Sequence, residues 1–308
     1  MSNIFSGKFI TPAEFLYLRP INEIFHCESE KPALPPHPDG LKNLHITFSG
    51  SFEIASLVPE RVTARLTADD YYKLYINGEF VCQGPAQGYP QGYNWNEVDV
   101  TRYLRSGENG IIAEVYYNGL INRSFDSGDL RCGFVCDILA GDELLCCTDG
   151  SWRCRFDRSY VGLRTAGYGT QFLEDRDFRI EPTEWERVRV KETDYAFADK
   201  PFPTVEVHTL EPVAFIRREG SVIYDFGREV TAGLRFKAYG HEGDSVTLRC
   251  AEELAPRADG SYPPEGELTV ETEIRWKTRA NCEYSETMIL AEGENLIDQY
   301  DYKAFRYA

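Results

Sequence analysis

From Leu44 to Leu290 the sequence passes through one short β-type segment after another, and no stretch between them carries the apolar spacing of a long amphipathic helix. LHITFSGSFEI, VTARLTA, YYKLYI, EFVC, GIIAEVYY, CGFVCDIL, ELLCCT and WRCRF come first; WERVRV, SVIYDFG, GLRFKAYG, SVTLRC and ETMIL follow. β-Branched and aromatic side chains suit a pleated, half-buried surface, and Gly, Asn, Asp or Pro mark most of the breaks. Many strands at short spacing, without helices between them, imply antiparallel sandwiches rather than a parallel sheet with helical crossovers. The expected fold class is all-β, with two antiparallel β-sandwich domains. TRYLRSGEN (101–109) has room for one helical turn before its glycine and no more.

The strongest local signal is ADDYYKLYINGEFVCQG (68–84). Tyr72, Leu74 and Ile76 alternate with Tyr71, Lys73 and Tyr75, the period-two pattern of a half-buried strand. Asn77-Gly78 then interrupts the run. Both residues tolerate the positive φ of a type I′ turn, so the dipeptide predicts a two-residue hairpin.

Length and boundaries follow. The 308 residues have room for two domains of about 100–200 residues each. KETDYAFADKPFP (191–203) interrupts the strand pattern with prolines and charges and reads as a linker. The expected division is a first sandwich over 1–190, with 1–43 as an arm and first strand, then the linker 191–203 and a second sandwich over 204–308. The proline-rich stretch His26 to Gly40 reads as an exposed loop or arm, since proline donates nothing to a sheet ladder.

Charge and cysteine usage narrow the function classes. Fifty Asp and Glu against thirty-three Lys and Arg leave a net charge of −17, which repels phosphate backbones and anionic lipid, so neither nucleic acid nor membrane is expected as a partner. The amino terminus has no basic segment followed by an apolar core, and no long apolar run occurs, so the expected localisation is cytoplasmic. The nine cysteines are odd in number, two are adjacent, and no Cys-x-x-Cys occurs. Reduced, mostly buried thiols are therefore expected, rather than a disulfide framework or a zinc ribbon.

Catalytic motifs are absent. The sequence has no Gly-x-Ser-x-Gly elbow, phosphate loop, His-Glu-x-x-His or helix-loop-helix calcium loop. His45 alternates outward between Leu44 and Ile46. Asp225-Phe226-Gly227 matches the kinase magnesium triplet only superficially, because no kinase catalytic loop accompanies it. Acidic residues are too plentiful for any single pair to mark a glycosidase acid and base.

Taken in order, Tyr75-Ile76-Asn77-Gly78, GPAQGYPQGYN (84–94), Asp99-Val100-Thr101-Arg102-Tyr103-Leu104 and Gly107-Glu108-Asn109 resemble the amino-terminal β-sandwich of bacterial α-L-rhamnosidases. LEDRDFR (173–179) resembles the family's Gly-Glu-x-Tyr-Asp-Ala-Arg motif, keeping Glu174, Asp177 and Arg179 and departing at Leu173, Arg176 and Phe178. Tyr224-Asp225-Phe226-Gly227, Gly233, SVTLRCAEEL with Glu252, and Phe305-Arg306-Tyr307 resemble the next sandwich of the same family. The resemblance covers about residues 44–308. It implies jelly-roll sandwiches of galactose-binding-like and concanavalin-like type. It also implies a parent enzyme that cleaves terminal L-rhamnose with inversion, using carboxylates in an α/α barrel that follows these sandwiches.

That barrel's long amphipathic helices do not occur in this sequence. A glycosidase needs one carboxylic acid for the leaving oxygen and a second carboxylate to activate water. The expectation is therefore a non-catalytic amino-terminal part of a glycoside hydrolase, with the catalytic α/α barrel of the parent and a rhamnose-containing saccharide as partners. Tyr89, Tyr93, Asn94 and Trp95 offer rings for the C–H face of a sugar and an amide for its hydroxyls. Arg179 is a further candidate for the hydroxyls. The resemblance, which includes calcium-dependent rhamnose-binding modules, nominates calcium as a cofactor, held by Glu174 and Asp177. The alternative is a structural or protein-interaction platform without a ligand, in which the rings pack inward and Arg179 pairs with Asp177 or Glu174.

Overall fold

In a computed structural model describing residues 4–21, 37–120, 128–167, 169, 171–277 and 282–308, Asn77 and Gly78 take φ values of 52° and 83°. They close the hairpin between the strands Tyr71–Ile76 and Glu79–Gly84, in which Ile76 pairs with Glu79. Tyr72, Leu74 and Ile76 are buried, while Tyr71, Lys73 and Tyr75 on the opposite face are half-buried. The period-two reading is thus realised residue by residue.

Among the described residues the regular structure is strand, with short 3₁₀ turns and no α-helix. The turn foreseen in TRYLRSGEN is the 3₁₀ segment Thr101–Tyr103. No described helix is long and apolar enough to cross a membrane. The arm read into His26 to Gly40 lies outside the described residues up to position 36, as does Cys27.

The chain forms two compact units. The first comprises Met1–Arg158 and Pro182–Val207. One of its sheets orders Arg189–Val190, Ile10–Thr11, Gly133–Ala140, Thr63–Asp69 and Asn96–Asp99, with Glu143–Cys147 also paired to Gly133–Ala140. The other orders Glu186–Arg187, Arg153–Asp157, Leu44–Ile54, Gly107–Tyr117, Tyr71–Ile76 and Glu79–Gly84. All these pairings are antiparallel. The inward side chains of both sheets, among them Ile46, Phe48, Leu66, Tyr72, Val115 and Phe134, form one core. Each such aliphatic or aromatic side chain contributes about 1.5–3 kcal/mol by leaving water. Trp152 completes the core by lying against Gly50, where a Cβ would stand 2.3 Å from its ring.

The second unit comprises Ser159–Glu181 and His208–Ala308. Its sheets are Ala214–Arg218 with Ser221–Ala232 and Lys303–Tyr307; Ser245–Arg249 with Ser285–Ile289 and Arg176–Asp177; Arg235–Gly240 with Gly293–Asp298; and the short pair Thr165–Ala166 with Gln171–Phe172. All are antiparallel except the short parallel pairing of Arg176–Asp177 with Ser285–Ile289.

This division differs from the sequence expectation in two places. Residues 159–181, expected in the first sandwich, belong to the second unit. The stretch 191–203, expected as a linker, packs on the first unit, with Tyr195 and Phe197 against Phe5, Phe9, Trp95 and Val135. Its aromatics drive that packing, and the prolines and charges that suggested a linker lie on either side of them. His45 is also buried rather than outward, its ring stacked on Tyr116 at 4.5 Å. Eight described cysteines are free, and burial pushes the thiols of Cys82, Cys146, Cys154 and Cys250 up to about 12. Such thiols are unreactive at neutral pH.

Candidate functional site

The loop after the hairpin carries the first group of candidates. Asn94 folds back on its own loop, donating to the carbonyls of Gln87 at 2.9 Å and Ala86 at 3.3 Å. Tyr93 turns inward and is 5% exposed; its hydroxyl donates to the Ala68 carbonyl at 2.8 Å, and its ring stacks on Tyr195 at 4.2 Å. Trp95 is also 5% exposed, donating its indole N–H to the Ala198 carbonyl at 2.9 Å and meeting the edge of Phe5. Of the three rings only that of Tyr89 reaches solvent, at 41% exposure, while Asn94 is half-buried. The four side chains therefore do not converge on one open surface. The rings of Tyr93 and Trp95 are held by Phe5, Tyr195, Phe197 and Ala198, partners far from them in sequence.

The second group is Glu174, Asp177 and Arg179. Glu174 Oε1 accepts from the Asp301 N–H at 2.9 Å and from Lys303 Nζ at 3.3 Å, and Oε2 accepts from the Tyr300 N–H at 2.6 Å. Lys303 is fully buried and pairs as well with Glu286 at 3.1 Å. Glu286 in turn accepts from the Glu174 N–H at 3.0 Å and from the Gln299 amide. Burial raises the Glu286 carboxyl, an effect that Lys303 opposes and Glu174 reinforces. Burial acts against the Lys303 ammonium, yet Glu174, Glu286 and Asp301 together push its pKa upward.

Asp177 is clasped by Arg179 through Nε at 2.9 Å and Nη2 at 2.7 Å, and also accepts the Arg179 N–H at 3.1 Å. That hydrogen bonding holds its carboxyl below the usual range. Calcium takes six to eight oxygens. The carboxylates of Glu174 and Asp177 instead face N–H donors and cations on separate partners, so this donor set does not fit calcium. Among the described residues no group of three or more His, Cys, Asp or Glu is arranged to hold a metal.

The positions that depart from the family motif have local uses. Leu173 is buried. The Arg176 guanidinium stands over the rings of Tyr160 at 4.3 Å and Phe178 at 4.4 Å, and bonds the Ser159 hydroxyl. Phe178 itself packs against the cluster of Leu248, Met288, Leu290 and Ile297.

The second-half motifs meet on paired strands, with Asp225 opposite Tyr307. Arg306 donates to both Asp225 oxygens, at 2.9 and 3.2 Å, and Gly227 N–H adds a third bond at 2.7 Å. Burial works against the Asp225 carboxylate, but Arg306 and Gly227 more than offset it and hold the pKa below the usual range. Phe226 and Phe305 meet edge to face at 5.6 Å. Sequence reasoning singled out neither Lys303 nor Glu286. The available signal was alternation: Lys303 shares the inward side of its strand with Phe305 and Tyr307, so a lysine in the apolar phase called for buried carboxylates.

Fold and geometry together define an all-β protein of two units whose motif carboxylates are engaged by its own cations and backbone. Residues 216–308 match the family model described as the bacterial alpha-L-rhamnosidase concanavalin-like domain. Solved structures resemble nearly the whole chain. The alpha-L-rhamnosidase from Dictyoglumus thermophilum is 20% identical with a TM-score of 0.61, over 99% of this chain and 34% of that one. The Streptomyces avermitilis alpha-L-rhamnosidase complexed with L-rhamnose is 19% identical with a TM-score of 0.59, over 86% and 27%. The GH78 family rhamnosidase of Bacillus sp. GL1 is 19% identical with a TM-score of 0.52, over 98% and 33%. The protein thus shares its fold with a part of these enzymes, spanning about a third of their length. A search of curated proteins returned no match.

Proposed function

We propose that this chain is a non-catalytic β-sandwich platform of an α-L-rhamnosidase-like glycoside hydrolase, supporting a catalytic α/α barrel and carrying no saccharide or calcium site in its motif residues. The burial of Trp95 and Tyr93 carries this reading: rings that face Phe5 and Tyr195 have no face left for a sugar. The carboxylates agree with it. Glycoside hydrolysis needs a free acid and a free base across one sugar ring, whereas Glu174, Asp177, Glu286 and Asp225 are each tied to a lysine or an arginine.

Calorimetric titration with L-rhamnose, with calcium or with chelator, tests the reading alongside an aryl α-L-rhamnoside assay. The expected result is no heat at millimolar sugar and no turnover. Heat that disappears in Tyr89→Ala, whose ring alone among the four candidates is open to solvent, would replace the platform with a rhamnose-binding module.

A further inference from the structure

The stretch 191–203 crosses the first unit as a strap. Its backbone is bonded along its length: Lys191 N–H to the Phe9 carbonyl at 2.9 Å, Tyr93 N–H to the Ala196 carbonyl at 2.8 Å, Ala198 N–H to the Tyr93 carbonyl at 2.9 Å, and Phe202 N–H to the Trp95 carbonyl at 2.7 Å. Midway along it, the Tyr195 hydroxyl reaches inward to Asp69 Oδ2, which also receives the Tyr93 hydroxyl at 3.4 Å. Asp69 is fully buried, and its other oxygen, Oδ1, meets no hydrogen-bond partner.

The charges around Asp69 do not balance it. Asp70, next in the chain, and Asp129 are buried beside it, and both disfavour a second negative charge. Of the nearby cations, Arg131 is committed to Asp129 at 2.6 Å and, through two bonds, to Asp194 on the strap. Lys191 donates to the carbonyls of Phe15 at 2.7 Å and Leu130 at 3.4 Å. Tyr93, Tyr117, Tyr195 and Cys132 complete the titratable groups around it among the described residues, and all are neutral when protonated. An ionised Asp69 here would be a buried charge without a counter-ion, costly in a low-dielectric site. A protonated one satisfies Oδ1 by pointing its O–H toward Asp70.

We propose that Asp69 is held as a neutral carboxylic acid shared with Asp70, and that the 191–203 strap, by covering this buried pair, couples its own seating on the sandwich to that one proton. Burial, then the charges of Asp129 and Asp70, push the Asp69 carboxyl well above the usual carboxylate range, and the Tyr195 hydroxyl, which donates more strongly to the ionised form, opposes them without cancelling them. When the strap lifts, water reaches Asp69 and the burial that raised its affinity for the proton is relieved, so that affinity falls toward that of an ordinary carboxylate. The latched state thus holds one more proton than the open one. Latching is complete below the open-state pKa and is lost as pH rises through the latched-state pKa.

Amide hydrogen exchange on the intact chain tests the latch. Protection of the Ala198 and Phe202 amides, corrected for base catalysis, is expected to fall by about tenfold per pH unit above roughly pH 5, the slope of one linked proton. Amides of the strand Leu44–Ile54 should keep theirs. In Asp69→Asn the carboxamide donates to Asp70 at every pH, so strap protection should lose this slope. The same slope in Asp69→Asn, or an equal slope in the sheet amides, overturns the proposal. Should Asp69→Asn fail to fold, carboxyl-carbon NMR of the unmodified protein decides: titration of Asp69 near the ordinary value of about 3.9 overturns the latch, and a protonated carboxyl at neutral pH supports it.

Discussion

The carboxamide of Asn77 donates to the carboxamide oxygen of Asn109 at 2.9 Å, joining the hairpin turn to the segment that follows Asp99. Asn109 is fully buried, and its four polar contacts are complete: Oδ1 also accepts from Arg105 N–H, and Nδ2 donates to the carbonyls of Arg105 and Gly107. Asn77 reaches further, to the Tyr103 carbonyl at 2.8 Å and from the Gly110 N–H at 3.1 Å. The spacing that suggested kinship is therefore a hydrogen-bond circuit that sets the fold. In Asn109→Asp a carboxylate would face two carbonyls it cannot bond. The expected loss is about 2–3 kcal/mol, read from the urea midpoint, because buried acceptors left without a donor cost that much. A change below about 0.5 kcal/mol would remove the circuit from the account of stability.

Lys303→Met should be the more damaging change in the second unit. It leaves Glu174 and Glu286 buried without their shared cation, and breaking a buried pair from one side costs about 3–5 kcal/mol. Adding Glu286→Gln to that variant should recover part of the loss. Equal stability of the single and double variants would mean that the two carboxylates do not share the ammonium.

The β architecture was legible because strand periodicity and the Asn77-Gly78 turn are local. The candidate sites were not, because their character depends on distant partners. Nothing near Trp95 in sequence says that Ala198 will take its indole N–H, and nothing near Glu174 announces Lys303. The unit boundary was misplaced for the same reason: Arg176–Asp177 joins the second unit through a strand more than one hundred residues later, Ser285–Ile289. Asn77, Asp99 and Asn109 were found by their spacing, but that spacing serves the turns of the sandwich rather than a ligand. Asp99 caps Thr101, accepting from its N–H at 3.0 Å and its hydroxyl at 2.6 Å.

Trp95 and Tyr89 should separate cleanly on substitution. Trp95→Ala removes a buried ring and its hydrogen bond to Ala198, so a loss of about 3–5 kcal/mol is expected in chemical denaturation. Tyr89→Ala, at a half-open loop position, should stay within about 0.5 kcal/mol of the parent. If the order were reversed, the inward packing of the loop would be wrong.

The second unit should also weaken as pH rises through about 6. Burial, reinforced by Glu174 and opposed by Lys303, raises the Asp301 carboxyl from 3.8 to about 6. A carboxyl with a raised folded-state pKa binds its proton more tightly in the native chain than in the unfolded one. Its stabilising contribution is complete below about pH 3.8 and is lost as pH rises through about 6. Two pKa units correspond to at most about 3 kcal/mol. Asp177 and Asp225, both lowered by arginine, act in the opposite sense: their contributions hold above the ordinary carboxylate range and are lost as acid protonates them. Exchange of the segment 299–307 should therefore quicken, beyond base catalysis, between about pH 5 and pH 7, and Asp301→Asn should flatten that response while leaving the acid limb in place. An unchanged profile in Asp301→Asn would shift the dependence to Glu286, the other carboxyl raised by burial beside Lys303.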